Sequence, residues 1–216
     1  MTMRAAVDSF LKWSILIGAI PLLFFVAGWW GSATIVLAFT ATKPEWPIAA
    51  CAFAGLAAGL ALVAWRRRAW SSAFFACRIR GPVILYLLLA VVALGFFMGL
   101  PLGVLALGVF AGLYAGRREF HAGDGESAAR RFIFRTALFT AAVTGILSLA
   151  MGLLALCLDT HTLRHVLSLA GLDWLGARAA GRIAVVTLAI PALAGVQFWL
   201  TKKTALWGYS LHDASA

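Results

Sequence analysis

Residues 82–118 read PVILYLLLAVVALGFFMGLPLGVLALGVFAGLYAGRR, and their reading decides the class of protein. No charged side chain occurs from Pro82 to Gly116, and the run closes on Arg117-Arg118. As one straight helix the uncharged part would reach about 52 Å, at roughly 1.5 Å per residue, against a bilayer core of about 30 Å. A turn inside it is therefore required. Gly99-Leu100-Pro101-Leu102-Gly103 supplies one, because glycine admits unusual backbone angles and proline lacks the donor a helix interior needs. The expectation is two short spans joined by a turn with almost no polar loop.

The rest of the chain has the same character. Of its 216 residues 63% are hydrophobic and 12% charged, and the mean hydropathy is +0.95. A soluble domain carries about 25% charged residues, so this composition points to an integral membrane protein. The net charge of +10 does not indicate nucleic acid, because the cations sit at the ends of apolar runs, where they orient a membrane protein and meet anionic headgroups. Cys51, Cys77 and Cys157 are too few and too scattered for a disulfide framework. They read as small packing residues, with a Cys51–Cys157 bridge as a weaker alternative.

Working outward from the central run, the fold class is all-α: a membrane bundle of about six transmembrane helices with both termini cytoplasmic and short interfacial helices between them. The whole chain, residues 1–216, reads as a single transmembrane domain, with spans at about 13–39, 47–65, 82–99, 102–116, 136–158 and 183–201. The first apolar run, from Trp13 to Phe39, follows Arg4 and Lys12 like a signal peptide, but is about twice the usual length of a signal core. A retained span, kinked at Pro21, is predicted. Arg66-Arg67-Arg68 is expected to stop the second span, and Trp70–Arg80 to lie in the interface as an amphipathic helix. Residues 117–135 form the longest polar loop, with Asp124 or Gly125 opening the next helix and Glu126 in its first turn.

Glycines recur at close-packing intervals. Gly95, Gly99 and Gly103 with Pro101, then Gly108, Gly112 and Gly116, line the central run, and Gly55 and Gly59 repeat the spacing in the second span. In lipid, helices associate by packing, and bare backbone allows close approach. Ala141–Gly145 and Ser148–Gly152 read the same way, and Thr144 and Ser148 can bond to a neighbouring helix or to their own carbonyls. Gln197 is the sole amide of the last span, which Pro191 should bend, and is assigned to a headgroup or a neighbouring helix. Arg66, Arg67, Arg68, Arg78, Arg80, Arg117, Arg118, Arg130 and Arg131 are assigned to lipid headgroups on the cytoplasmic side.

The stretch GFFMGLPLGVLALGVFAGLYAGRR, Gly95–Arg118, resembles a segment of small uncharacterised bacterial multi-spanning membrane proteins. There a glycine-proline turn leads into a glycine-rich helix ending in tyrosine, glycine and paired arginines. Where that pattern has an asparagine shortly after the proline, this chain has Leu102-Gly103. The resemblance implies an integral membrane protein and brings no activity; the expected location is the bacterial cell (inner) membrane.

Catalytic and cofactor motifs are weak or missing. Asp159, His161 and His165 form a weak metal candidate: the histidines share a helical face, but no glutamate lies between them and a further ligand at good spacing is lacking. An interfacial helix capped near Asp159 and ended by Gly171 explains the same residues, with Asp173 capping the last helix. DGESAAR, starting at Asp124, resembles the opening of a phosphatidyl-transfer motif but has one residue too many between DG and AR, and lacks the downstream aspartates. His121, His161, His165 and His212 lie outside the apolar runs, so axial haem ligation is not expected, nor is any other cofactor. No ionisable residue falls in the middle of a proposed span, where proton-coupled carriers place one. The best reading is a small permease or the membrane subunit of a transporter. The alternatives are a structural or partner-binding membrane protein packed through its glycine faces, as a homo-oligomer or with another subunit, and a membrane enzyme using the Asp159, His161 and His165 cluster or loop residues such as Asp124 and Glu126.

Overall fold

In a computed structural model of the chain, residues 3–39, 45–96, 102–123, 125–169 and 171–211 are described. They are all-helical, without strands. The order is α1 (Met3–Trp13), a π-helical stretch (Ser14–Ala19), α2 (Ile20–Phe39), α3 (Trp46–Ser72), α4 (Arg80–Phe96), α5 (Leu102–Ala122), α6 (Glu126–Cys157), α7 (Thr160–Leu169), α8 (Asp173–Ala177) and α9 (Ala179–Ser210). Four helical stretches are long and apolar enough to cross a membrane: Met3–Phe39, Trp46–Ser72, Glu126–Cys157 and Ala179–Ser210. Arg80–Phe96 is a shorter apolar helix. The central turn, including Gly99 and Pro101, lies outside the described residues.

The chain divides into two compact units, one up to Val92 and one from Ala93 to Ser210. In the first, α2 and α3 pack backbone to backbone. A methyl group at Gly55 would collide with the Phe24 carbonyl, one at Gly28 with the Cys51 carbonyl, and one at Gly59 would lie 2.8 Å from Pro21 Cα. In the second unit α5, α6 and α9 pack on one another, with α7 and α8 beside the ends of α6 and α9.

Several boundaries differ from the sequence expectation, mostly because charge ends an apolar run without ending a helix. α3 continues through Arg66, Arg67 and Arg68 to Ser72, since arginine is a good helix former. The interfacial helix expected over 70–80 does not form. Trp70–Ser72 is the end of α3, turns follow, and Arg80 already belongs to α4. The expected polar loop over 117–135 is mostly helix, with α5 running to Ala122 and α6 beginning at Glu126 behind the N-cap Gly125. Asp173 opens the short α8 rather than the last helix.

At Pro21 the missing donor and the bulk of the ring are accommodated by the π-helical stretch just before it, where the Ile20 N–H reaches back to the Ile15 carbonyl. Pro191 lies inside α9. α7 ends as expected at Gly171, whose φ is +72°. Its N–H bonds to the Ser168 carbonyl at 2.9 Å, and the Leu172 N–H to the Leu167 carbonyl at 2.8 Å, the paired bonds of a left-handed helix cap. Gly171→Ala is expected to destabilise this cap by about 1 kcal/mol through the positive φ, read as a small fall in melting temperature in detergent.

Candidate functional site: a buried polar seam in the second unit

The apolar surface of α6 is interrupted along one face. Its buried residues are Ala129, Ile133, Ala137, Thr140, Ala141, Thr144 and Ser148, the spacing of a single helical stripe. On α9 the buried positions are Gln197, Thr201, Ala205 and Gly208. Five uncharged polar side chains are thus buried on these two helices of the second unit.

Their partners are only partly supplied. Thr140 Oγ1 and Thr201 Oγ1 lie 2.9 Å apart, tying α6 to α9, and the Thr140 hydroxyl is 3.0 Å from the Ala137 carbonyl. Gln197, fully buried, donates from Nε2 to the Val104 carbonyl of α5 at 3.3 Å. This is the neighbouring-helix role allowed for it by the sequence. Thr144 Oγ1 and Ser148 Oγ, at 0% and 7% residue exposure, have no hydrogen-bond partner among the described residues. A buried hydroxyl left unsatisfied costs about 1–3 kcal/mol, so the pair marks a place where something polar is wanted.

The glycines of α5 set the distance to α9. A methyl group at Gly108 would fall on the Gln197 amide, one at Gly112 would meet the Thr201 carbonyl at 2.5 Å, and one at Gly116 would meet the Tyr209 nitrogen at 2.8 Å. Gly103 is buried and Gly95 exposed. At Gly145 an added methyl would make an ordinary 3.8 Å contact with Ala194, so that glycine is not required for close packing.

Arg117 corrects the assignment to lipid. It is wholly buried, its Nη1 donates to the Gly208 carbonyl at 3.2 Å, and its guanidinium lies 4.7 Å from the centre of the Phe120 ring. The physical reason is the continuation of α5 past the arginine doublet, which carries Arg117 onto the face packed against α9. Arg118 is partly buried, stacked 5.0 Å from the Phe132 ring and 3.6 Å from Glu119. Arg66, Arg67, Arg68, Arg78, Arg80, Arg130 and Arg131 are exposed. Near the Arg117 end of the unit a groove of about 400 Å³ is lined by Arg130, Lys203, Ala129, Ile133 and Trp207, among others. Arg130 is paired with Glu126 at 2.6 Å.

Asp159, His161 and His165 are all exposed. Among the described residues no group of three or more histidine, cysteine, aspartate or glutamate side chains is placed to hold a metal. Cys51, Cys77 and Cys157 are free thiols.

Sequence reasoning singled out Thr144, Ser148 and Gln197, but not Thr140 or Thr201. The four-residue recurrence of Thr140, Thr144 and Ser148 in an apolar helix is the signal that was there to find. Gly28 has no regular spacing to its neighbours and carries no such signal.

These features define the class: an all-α protein with four helical stretches long and apolar enough to cross a membrane, and a buried polar seam among three helices of its second unit. Comparison with protein families, with curated proteins and with solved structures returns no match for this chain.

Proposed function

We propose that this chain is a multi-pass protein of the bacterial inner membrane with a transport role, either a small permease or the membrane subunit of a larger transporter. The observation that carries the reading is the pair of buried hydroxyls, Thr144 and Ser148, left without protein partners inside apolar helices. In lipid such groups are costly and retained for use, and a polar solute or water can satisfy them.

The orientation follows from charge. Fourteen of the 18 Lys and Arg residues fall on one side in an arrangement of six apolar segments with an even number of crossings. They are Arg4 and Lys12; Arg66, Arg67, Arg68, Arg78 and Arg80; Arg117, Arg118, Arg130, Arg131 and Arg135; Lys202 and Lys203. The positive-inside rule puts that side, with both ends of the chain, in the cytoplasm. The groove beside Arg130 and Lys203 then faces the cytoplasmic leaflet, where anionic lipid phosphates are the expected neighbours.

The test is a melting-temperature screen of the purified protein in detergent against small polar solutes. A ligand that binds the folded state raises stability by mass action. Thr144→Val is expected to have opposite effects with and without the solute. Removing the unsatisfied hydroxyl raises the unliganded melting point, by an amount equivalent to about 1 kcal/mol, and weakens the solute-dependent rise. A second reading, a structural protein in which the glycine faces are the whole design, is favoured by the backbone contacts of Gly112 and Gly116. It predicts no solute effect and a defined oligomer or co-purifying subunit.

A further inference from the structure

α6 and α9 are antiparallel, with Thr140 opposite Thr201, Gly145 opposite Ala194 and Gly152 opposite Val186. Their uncharged stretches end within about one helical turn of each other. That of α9 runs from Ile183 to Thr201 and closes on Lys202-Lys203, and that of α6 opens at Thr136, just after Arg135. The groove of about 400 Å³ begins at this level, lined by residues of α6 between Glu126 and Ile133 and of α9 between Lys203 and Ser210. Lys203 stands roughly 3 Å beyond Thr201, and Ser210 about 10 Å beyond Lys203. Counted back from Thr140, Arg130 comes about level with Ser210. The groove thus leads outward from a lysine of α9 to an arginine of α6.

Its charges are unequally matched. The charged side chains that line it are Glu126, Arg130 and Lys203. Glu126 Oε1 accepts from Arg130 Nε at 3.0 Å and from Nη2 at 2.6 Å. Both bonds fall on one carboxylate oxygen, which leaves Glu126 Oε2 as an acceptor and Arg130 Nη1 as a donor. Lys203 has no hydrogen bond or ion pair among the described residues. One positive charge is therefore uncompensated, at the end of the groove nearest the uncharged stretches. Leu206 and Trp207, 37% and 44% exposed, border the same end.

In the membrane placement proposed above, the uncharged stretch of α9 fills a core of about 30 Å, and the headgroup layer beyond it is about 5–7 Å deep. Lys203, reaching outward, meets the level of lipid phosphates, and Trp207 stands where an interfacial indole does. The Glu126–Arg130 pair lies at the outer edge of that layer, where the group esterified to a phosphate would be. A free phosphate gains nothing from the apolar border or from this depth, whereas a lipid does.

We propose that the groove binds one phospholipid of the cytoplasmic leaflet, a monoanionic phosphodiester whose headgroup carries hydroxyls, as a glycerol does. The phosphate sits on Lys203, one negative charge against one positive. The headgroup hydroxyls donate to Glu126 Oε2 and accept from Arg130 Nη1. Held by α9 at one end and by α6 at the other, the lipid fastens the two helices together within about three turns of the Thr140–Thr201 contact. The site rests on the membrane placement above and not on the transport role.

The test is the melting temperature of the purified protein, freed of lipid in a non-ionic detergent. The probes are dioctanoyl phosphatidylglycerol, dioctanoyl phosphatidylmethanol (the same charge without a headgroup hydroxyl) and dioctanoyl phosphatidylcholine, with glycerol phosphate and inorganic phosphate as soluble sources. The expected result is a saturable rise with phosphatidylglycerol, at about tenfold lower concentration than with phosphatidylmethanol. No saturable rise is expected with phosphatidylcholine or the soluble phosphates. Lys203→Gln is expected to raise the half-saturating concentration about tenfold. Lys202→Gln should leave it nearly unchanged, because the Lys202 ammonium lies 5.8 Å from the Phe198 ring and does not line the groove. Equal losses in the two lysine variants overturn the groove in favour of diffuse surface charge. Equal rises with the two anionic lipids overturn the recognition of hydroxyls, and a matching rise with the soluble phosphates overturns the lipid. No saturable rise with any probe, in protein that melts cooperatively, overturns the site. Recovery of the chain in carbonate-washed cell membranes tests the membrane placement by itself, and solute flux tests the transport role.

Discussion

Gly112→Leu is expected to prevent α5 from docking on α9 and to remove most folded protein from the membrane fraction. A methyl group alone at this position would overlap the Thr204 hydroxyl and lie 2.5 Å from the Thr201 carbonyl. The side chain can rotate away, but the carbonyl belongs to the backbone of a packed helix. The whole of α9 would have to shift, breaking the Thr140–Thr201 contact and the Gln197–Val104 bond that hold the seam. Lipid tails offer the displaced surfaces an environment as apolar as the one they lose, so packing is the term at stake. Overpacking costs about 1–3 kcal/mol, and loss of the adjoining contacts adds to it. Gly195→Leu is the matched control, because an added methyl there meets nothing within 4 Å. The variants are compared by yield of monodisperse protein and by melting temperature; equal behaviour would contradict the packing described.

The second large effect is expected from Arg117→Met. The guanidinium is wholly buried, bonded to the Gly208 carbonyl at 3.2 Å and set over the Phe120 ring at 4.7 Å. A hydrogen bond to a charged group contributes about 1.5–3 kcal/mol, and a desolvated cation–ring contact about 2 kcal/mol. Methionine fills similar volume without replacing either, so a loss of about 3 kcal/mol is expected after partial compensation by packing. Arg67→Gln, at an exposed position of α3, should change stability by no more than about 0.5 kcal/mol. Thermal denaturation of the two variants in one detergent separates them. Equal melting points would return Arg117 to the surface role that its sequence context gave it.

That contrast shows where the sequence was legible. Composition and the uncharged run from Pro82 to Gly116 were sufficient for the all-α class and for helices long and apolar enough to cross a membrane. The spacing of Gly55 and Gly59, and of Gly108, Gly112 and Gly116, pointed to positions where a neighbouring helix lies against the glycines, by its backbone at Gly55, Gly59, Gly112 and Gly116 and by the Gln197 amide at Gly108. What sequence could not supply was the length of helix beyond each charge. Arginine ends an apolar run without ending its hydrogen-bond ladder, so α3 and α5 both outlast their arginines, and Arg117 is carried into the interior while Arg67 is not. The seam was half visible: Thr144 and Ser148 stood out as polar residues in an apolar helix, but nothing in the sequence showed that the Thr140 hydroxyl finds Thr201 while theirs find no partner.

The central claim, a transport role carried by the seam of the second unit, is tested most directly by solute flux across vesicles holding the purified protein. The account predicts saturable release of a trapped small solute from vesicles with the wild-type chain, and release at the level of empty vesicles with Thr144→Val/Ser148→Ala. Vesicles as tight as empty ones to carboxylates, neutral polar solutes and cations alike, with folded protein incorporated, would contradict it.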